Sequence, residues 1–448
     1  MAPKYFIETF GCQMNFHDSE RLAGVLESDG YSKAAEESDA DLLVVNTCSV
    51  REKAEDKLYT RLGEIRQART QGRDVTVVVA GCVAQQEGHE LFKRASPVDV
   101  VLGTQSVKHL PDLLRSARST NRSQIDIHPH DDVSFPLGMI RHSDPYRAWI
   151  TIIEGCNEYC SFCVVPYTRG AERMRPVGDI LAEARQAAAT GRIELQLLGQ
   201  IVNHYQAPDD PSCDFAALLE RLSEVPGVER IRFASPHPRH VGDRLLNAIR
   251  DLPKVCKHLH LPVQSGSNRI LKAMRRRYSR EEYLELVDRL RSTVPGVAIS
   301  TDVIVGFPGE TAEDFDLTID LVKRARYHSM YSFKYSTRPN TLAAKRLSDD
   351  VTEREKTDRI LAIQALQGEI QLEHFRAAVG STERVMVDSV SRRRSDELSG
   401  RTSGNTIVNF PGPTEWLGRL IDVTITEASP NSLRGRLSAT VPENVHAR

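Results

Sequence analysis

The chain has 448 residues, 40% of them hydrophobic and 27% charged, which excludes disordered and fibrous classes and exceeds what one hydrophobic core accommodates. Its net charge of -2 gives no overall attraction for a polyanion, so nucleic-acid contact would have to rest on local patches such as Arg275–Arg277 and Arg392–Arg394. Met1–Phe6 has neither an apolar signal core nor a cleavage site, and no run reaches the roughly 18 apolar residues of a membrane span. A cytoplasmic protein without membrane contact is expected, its eight cysteines reduced and available as metal ligands, catalytic thiols or core residues.

In chain order, short apolar runs at Tyr5–Phe10, Leu42–Asn46, Val75–Ala80 and Val98–Leu102 predict buried strands. Helical patterns such as Asp18–Glu27 and Glu52–Arg69 lie between them, and the alternation predicts a parallel α/β sheet domain over residues 1–118. Residues Ser116–Asp144, with His128-Pro129-His130-Asp131-Asp132, break the rhythm as a linker. Strands at Ala148–Glu154, Glu194–Leu198, Arg230–Ala234, His258–Pro262, Val297–Val305 and Tyr331–Tyr335 then alternate with helices at Val177–Thr190, Asp214–Ser223, Arg280–Thr293 and Glu313–Ala325. Six β/α repeats over 142–375 predict an open (β/α)6 partial barrel with its active groups at the C-terminal strand ends. After a charged helix, Thr352–Ala378, short runs at Glu383–Val390, Gly404–Phe410, Leu420–Glu427 and Ser432–Leu437 predict a small β-barrel over 378–441.

The cysteines carry the chemistry. Cys156, Cys160 and Cys163 form a CxxxCxxC run directly after the first strand of the middle domain. Such close spacing suits an iron-sulfur cluster, whereas a zinc site wants a fourth ligand and more usually shows CxxC pairs. Cys12, Cys48 and Cys82 lie 36 and 34 residues apart, each two residues past a predicted strand. Ends of parallel strands share one edge, so these thiols converge. One such cysteine would read as a buried turn residue; three in register favour a second three-cysteine cluster. Cys213 and Cys256 have no partner spacing and are expected to be ordinary residues.

The CxxxCxxC run with Phe162 before its last cysteine resembles the radical S-adenosylmethionine enzymes. With both trios in this order the chain resembles the methylthiotransferases, whose parts are an N-terminal cluster domain, a radical S-adenosylmethionine domain and an RNA-binding TRAM barrel. The resemblance rests on Thr9–Asn15, Asn46–Arg51, Cys163–Gly170, Leu261–Ser267 and Asp302–Glu310. Gly11–Asn15 and Val164–Gly170 look like the branch acting on N6-isopentenyladenosine beside the tRNA anticodon. The resemblance implies two 4Fe-4S clusters and two S-adenosylmethionine molecules per turnover. One would methylate sulfur held by Cys12, Cys48 and Cys82; the other, cleaved at Cys156, Cys160 and Cys163, would yield a radical that takes hydrogen from adenine C2. Implied partners are the tRNA anticodon loop, an electron donor such as flavodoxin or ferredoxin, and sulfur and cluster-assembly proteins. Phe162, Gln200, Gln264, Ser265 and Gly306 are candidate S-adenosylmethionine or substrate contacts, with Gly309 either a close approach or a turn. Phe410 and Trp416 are either base-stacking groups or core. The sequence departs from the family pattern at Ile201, at Arg338–Thr341, where a Gly is missing, and at Thr406 after Asn405. Rival readings are a methylthiotransferase acting on threonylcarbamoyladenosine or a ribosomal-protein aspartate, and an iron-sulfur RNA-binding sensor without catalysis.

Overall fold

The computed structural model describes residues 2–49, 52–94, 97–130 and 140–438. The first domain is a wholly parallel sheet of β1 (Lys4–Phe10), β2 (Ser32–Lys33), β3 (Leu42–Thr47), β4 (Thr76–Gly81), β5 (Val100–Leu102) and β6 (Gln124–Asp126), in the order β2-β1-β3-β4-β5-β6. Its central strands β3 and β4 are nearly continuous runs of Leu, Val and Ala, as a sheet covered on both faces requires. Each face packs its own core, one around Leu22, Leu26 and Leu110 and the other around Leu58, Leu62 and Leu91. The short, polar edge strands β2 and β6 have no apolar run to announce them. β6 therefore falls inside the predicted linker, past the expected boundary at 118, and helix Leu110–Thr120 leads into it. The rest of that linker from 131 to 139, including Asp131-Asp132, lies outside the described residues, as do Val50 and Arg51.

The middle domain comprises β7 (Arg147–Thr151), β8 (Ile153–Glu154), β9 (Arg173–Met174), β10 (Glu194–Leu198), β11 (Arg230–Phe233), β12 (His258–His260), β13 (Ala298–Val305) and β14 (Ser329–Lys334). Parallel sheets β7-β10-β11 and β12-β13-β14 meet where Ile231 bridges Val255, giving the expected six-stranded open barrel, with β8 and β9 as a separate antiparallel pair. Helices Val177–Ala189, Phe215–Ser223, Arg280–Thr293 and Ala312–Ala325 cover its outside, the last two opened by capping boxes from Ser279 and Thr311. Helix Glu353–Ala377, capped by Thr352, packs on β14 and reaches the third domain.

That third domain is a closed barrel of β15 (Thr382–Val390), β16 (Glu397–Arg401), β17 (Ile407–Pro411), β18 (Leu420–Ser429) and β19 (Ser432–Leu437), ordered β15-β16-β17-β19-β18. β16, Glu-Leu-Ser-Gly-Arg, is too polar to read as a strand from sequence; partners on both sides make it one. The expected end of this domain at 441 lies outside the described residues.

Ion pairs and hydrogen bonds lock the three domains together. On helix Gln13–Ser28, Asp18 pairs with Arg169 at 2.5 Å and Arg21 with Glu154 at 2.5 Å, while Glu20 accepts from the backbone N–H of Ser143 at 2.6 Å. On the other side, Arg230 donates to the carbonyls of Arg401 (2.7 Å) and Arg384 (2.9 Å) in the barrel, and Arg232 to those of Ser403 (3.1 Å) and Thr402.

Candidate metal centres

All six expected cysteines line one cavity of about 740 Å³ bounded by the first and middle domains and the barrel. The N-terminal trio stands on three strand-end turns of one sheet. Cys12 caps helix Gln13–Ser28, Cys48 follows Thr47 of β3, and Cys82 opens the helix after β4. Gly11 makes the convergence sterically feasible: at φ 143° it passes so close to Cys48 that a Cβ there would meet the Cys48 Cβ. Asn15, fully buried, ties the turns together. Its Oδ1 accepts from Cys12 N (3.4 Å) and Sγ (3.3 Å), and its Nδ2 donates to Thr47 O and Asn46 Oδ1, each at 3.2 Å. Cys48 stands within hydrogen-bond reach of both Cys12 and Cys82. Cys48, flanked by both others, is held far above the usual thiol range, while Cys12 and Cys82 are pulled below it, first by Cys48 and also by the charge of Arg169.

Cys156, Cys160 and Cys163 lie on the loop after β8. The loop leaves the strand at Gly155, φ 82°, where a Cβ would collide with the Ala171 carbonyl. The Gly155 N–H donates to Gln200 Oε1 at 2.6 Å, and Glu158 is buried under the loop with its Oε1 2.8 Å from His240 Nε2. Burial pushes Cys156 up to about 11 and Cys163 up to about 12. Desolvated thiols of this kind ionise readily only beside positive charge, which is what a metal centre brings. Three soft sulfur donors on each side of one cavity fit iron-sulfur clusters with one iron open at each.

Of the other candidates, Phe162, Gln200 and Gln264 line the cavity. Phe162 packs beside Met274 and Phe307, and Gln264 is buried with left-handed backbone, φ 73°, bridged to Val303. Ser265 and Gly306 lie outside the lining. Ser265 is fully buried, its Oγ accepting from Ser267 N at 3.2 Å, and Gly306 gives its N–H to Glu310 at 2.6 Å beneath Lys356. Both shape the walls rather than face the space. Cys213 and Cys256 are buried away from the cavity, as expected.

Three arginine-centred features were not legible as site features. Arg276, in a run that reads as a possible RNA contact, is buried and donates to Cys160 Sγ (3.4 Å) and Pro262 O (2.8 Å), while Arg275 and Arg277 on either side are exposed. Arg169 lines the cavity beside the N-terminal trio. Glu194 is buried among Arg147 (2.7 Å), Arg232 (3.2 Å) and Arg230 (3.9 Å) on the wall facing the barrel, which itself contributes Arg401 and Asn405. Tyr331 and Phe333, both substantially exposed, complete the lining there.

Comparison with known proteins agrees with this division. Residues 4–103 match the Uncharacterized protein family UPF0004, 150–322 the Radical SAM superfamily and 376–438 the TRAM domain. The tRNA-2-methylthio-N(6)-dimethylallyladenosine synthase of Bordetella petrii is 45% identical over 441 residues, covering 98% of this chain and 92% of that one. Its counterpart in Thiobacillus denitrificans is 46% identical over 453 residues, 99% of each chain, and that of Thermoanaerobacter pseudethanolicus 42% over 435, 97% and 92%. Among solved structures, the radical S-adenosylmethionine methyltransferase TsrM from Kitasatospora setae, with tryptophan and a S-adenosylmethionine analogue bound, superposes with a TM-score of 0.55 at 13% identity, over 87% of this chain and 79% of that one, a likeness of fold.

Proposed function

The chain belongs to the tRNA-2-methylthio-N(6)-dimethylallyladenosine synthase family, and from that premise we propose how its two cysteine trios divide the work. It is an enzyme that methylthiolates dimethylallyladenosine in tRNA by radical S-adenosylmethionine chemistry. In our reading Cys156, Cys160 and Cys163 hold the 4Fe-4S cluster that binds S-adenosylmethionine, and Cys12, Cys48 and Cys82 hold a second one that carries the sulfur. A cluster held by Cys156, Cys160 and Cys163 would supply the electron for cleavage of S-adenosylmethionine, and one held by Cys12, Cys48 and Cys82 would supply the sulfur that is methylated and transferred to adenine C2. The observation that carries this reading is that both trios open into a single cavity.

The chain's own groups do the rest. Gln200 fixes the start of the CxxxCxxC loop, and Arg276 places a positive charge on Cys160. The apolar wall of Phe162, Phe233 and Ile201 limits water and stray hydrogen donors around a radical. Ile201, a departure from the family pattern, belongs to that apolar wall and offers no polar contact. The far wall of Arg232, Arg401, Asn405, Tyr331 and Phe333 suits a nucleotide, with cations for phosphate and π-faces for a base taken from the anticodon loop. A base in a single-stranded loop is splayed out at lower cost than one in a duplex. We include in this proposal an external one-electron donor such as a flavodoxin or ferredoxin, sulfur and cluster-assembly partners, and a cytoplasmic site of action.

Iron and acid-labile sulfide content after anaerobic reconstitution tests the reading. The wild-type chain is expected to hold about eight irons and the Cys156→Ala/Cys160→Ala/Cys163→Ala variant about four. A fall from about four to none would leave the N-terminal trio without a cluster and remove the case for sulfur transfer from it.

A further inference from the structure

Each trio has one buried arginine at its side, and the two differ in how they are satisfied. Arg276 uses its donors within the protein, on Cys160 Sγ, Tyr278 Oη and Pro262 O. Arg169, 3% exposed, donates through Nη2 to one oxygen of Asp18 at 2.5 Å and stands within hydrogen-bond reach of the Cys82 thiol. Its Nη1 is buried with no acceptor among the described residues, and Asp18 Oδ1 is likewise unpartnered. A guanidinium removed from water with a whole terminal nitrogen left without an acceptor is incompletely compensated, since buried charges require acceptors for their remaining donors.

The backbone around Arg169 is firmly placed. The first domain grips it through Thr104 Oγ1, which donates to Thr168 O at 2.6 Å, and Gln105 Nε2, which donates to Arg169 O at 2.8 Å. The middle domain thus delivers this cation into the N-terminal site, where Asp18, Cys82 and Cys12 are the anionic groups that act on it most strongly, with Glu154 also nearby. An anion bound beside Cys82 would lie next to this guanidinium, whose Nη1 has no acceptor among the described residues.

We propose that Arg169 is a positioning residue that holds the monoanionic sulfur destined for transfer, a hydrosulfide or its methyl thiolate, at the Cys12, Cys48 and Cys82 site through Nη1. This rests on the reading of that trio as the sulfur-carrying centre. A guanidinium suits the task because it stays charged and gives charge-assisted hydrogen bonds to an anion without supplying a proton. Asp18 then has a separate role, fixing the guanidinium in place through the other nitrogen.

The test uses the full-length Cys156→Ala/Cys160→Ala/Cys163→Ala protein, reconstituted so that only the N-terminal cluster remains, and compares it with the same protein carrying Arg169→Met or Arg169→Lys. Sodium sulfide and sodium methanethiolate are titrated separately while the electron paramagnetic resonance spectrum of the reduced cluster is followed, and its reduction potential is measured. With Met, affinity for both anions is expected to fall roughly tenfold or more, the loss of one charged hydrogen bond. The potential should move negative, because the reduced centre loses a nearby cation, and Lys should recover part of both effects. If only one anion loses affinity, the sulfur form Arg169 serves is the one affected. Full iron content with unchanged affinities and potential would overturn the proposal and leave Arg169 as a strut to Asp18. If Arg169→Met does not fold around the stranded Asp18, Asp18→Asn/Arg169→Met removes the buried pair together and carries the same readout. Loss of all iron already in the parent triple variant would instead bring down the reading of the trio on which the proposal stands.

Discussion

Phe410 sits at the centre of the C-terminal barrel with no exposed surface, packed among Val385, Val387, Leu398 and Val423. It cannot stack on a base, and Trp416 packs half-buried against the same core. Phe410→Ala is expected to destabilise the barrel by about 3–5 kcal/mol through lost burial and the cavity left behind, read as a lowered urea midpoint. An unchanged midpoint with weakened tRNA binding would restore the stacking role. Sequence cannot separate these two uses of an aromatic residue, because both put it on a strand. The same limit applies to Arg276, whose run of three reads as a solvated or RNA-facing patch until the left-handed backbone at Arg275 and Arg277 turns the middle residue inward. At Asn340 the missing glycine of the family pattern has a simple substitute, since Asn tolerates the φ of 67° that the turn requires.

At the scale of elements, helix Gln13–Ser28 works as a connector as much as a layer of the sheet. Glu20, 4% exposed, accepts from the N–H and Oγ of Ser143 and lies 3.3 Å from His142 Nδ1, tying the helix to the segment that enters β7. Although burial alone would raise it, hydrogen bonds from His142, His17 and Ser143 bring its carboxyl down to about 2 from 4.5. A depressed folded value contributes stability that is complete above the unfolded value and is lost as pH falls through the folded one. Comparing Glu20→Gln with wild type in urea, the wild-type advantage should shrink by roughly 3 kcal/mol between about pH 5 and pH 2. A pH-independent difference would mean that the Glu20 carboxyl titrates alike in the folded and the unfolded chain. The strands flanking this helix were legible, and with them the convergence of Cys12, Cys48 and Cys82, because parallel strand ends share an edge and each cysteine follows one. The polar strands β2, β6 and β16 were not legible: their identity comes from neighbours, which local pattern does not record. The partners Asp18 and Arg169 lie 151 residues apart, beyond the reach of any periodicity.

On the scale of the whole molecule, the barrel is clamped to the middle domain and forms part of the cavity wall through Arg401 and Asn405. The clamp is built on Glu194, 1% exposed, whose carboxyl gathers Arg147, Arg230 and Arg232; these in turn reach Asp388 and the carbonyls of Arg384, Arg401, Thr402 and Ser403. A barrel that merely trailed on a tether would raise the local concentration of tRNA without orienting it, whereas a docked one sets the distance between the RNA and the two cysteine trios. Arg230 tests the difference because it touches the barrel and is not part of the cavity lining. Arg230→Met leaves two barrel carbonyls without their donor, so the interface should loosen, seen as faster proteolysis near the start of β15 and a larger radius of gyration in solution scattering. The KM for tRNA should then rise about tenfold, the value of roughly one charged hydrogen bond, while reductive cleavage of S-adenosylmethionine in the absence of tRNA stays as in wild type. Equal loss of both activities would show that Arg230 supports the middle domain itself, and a loosened barrel with unchanged KM would mean that tRNA is oriented by the first two domains alone.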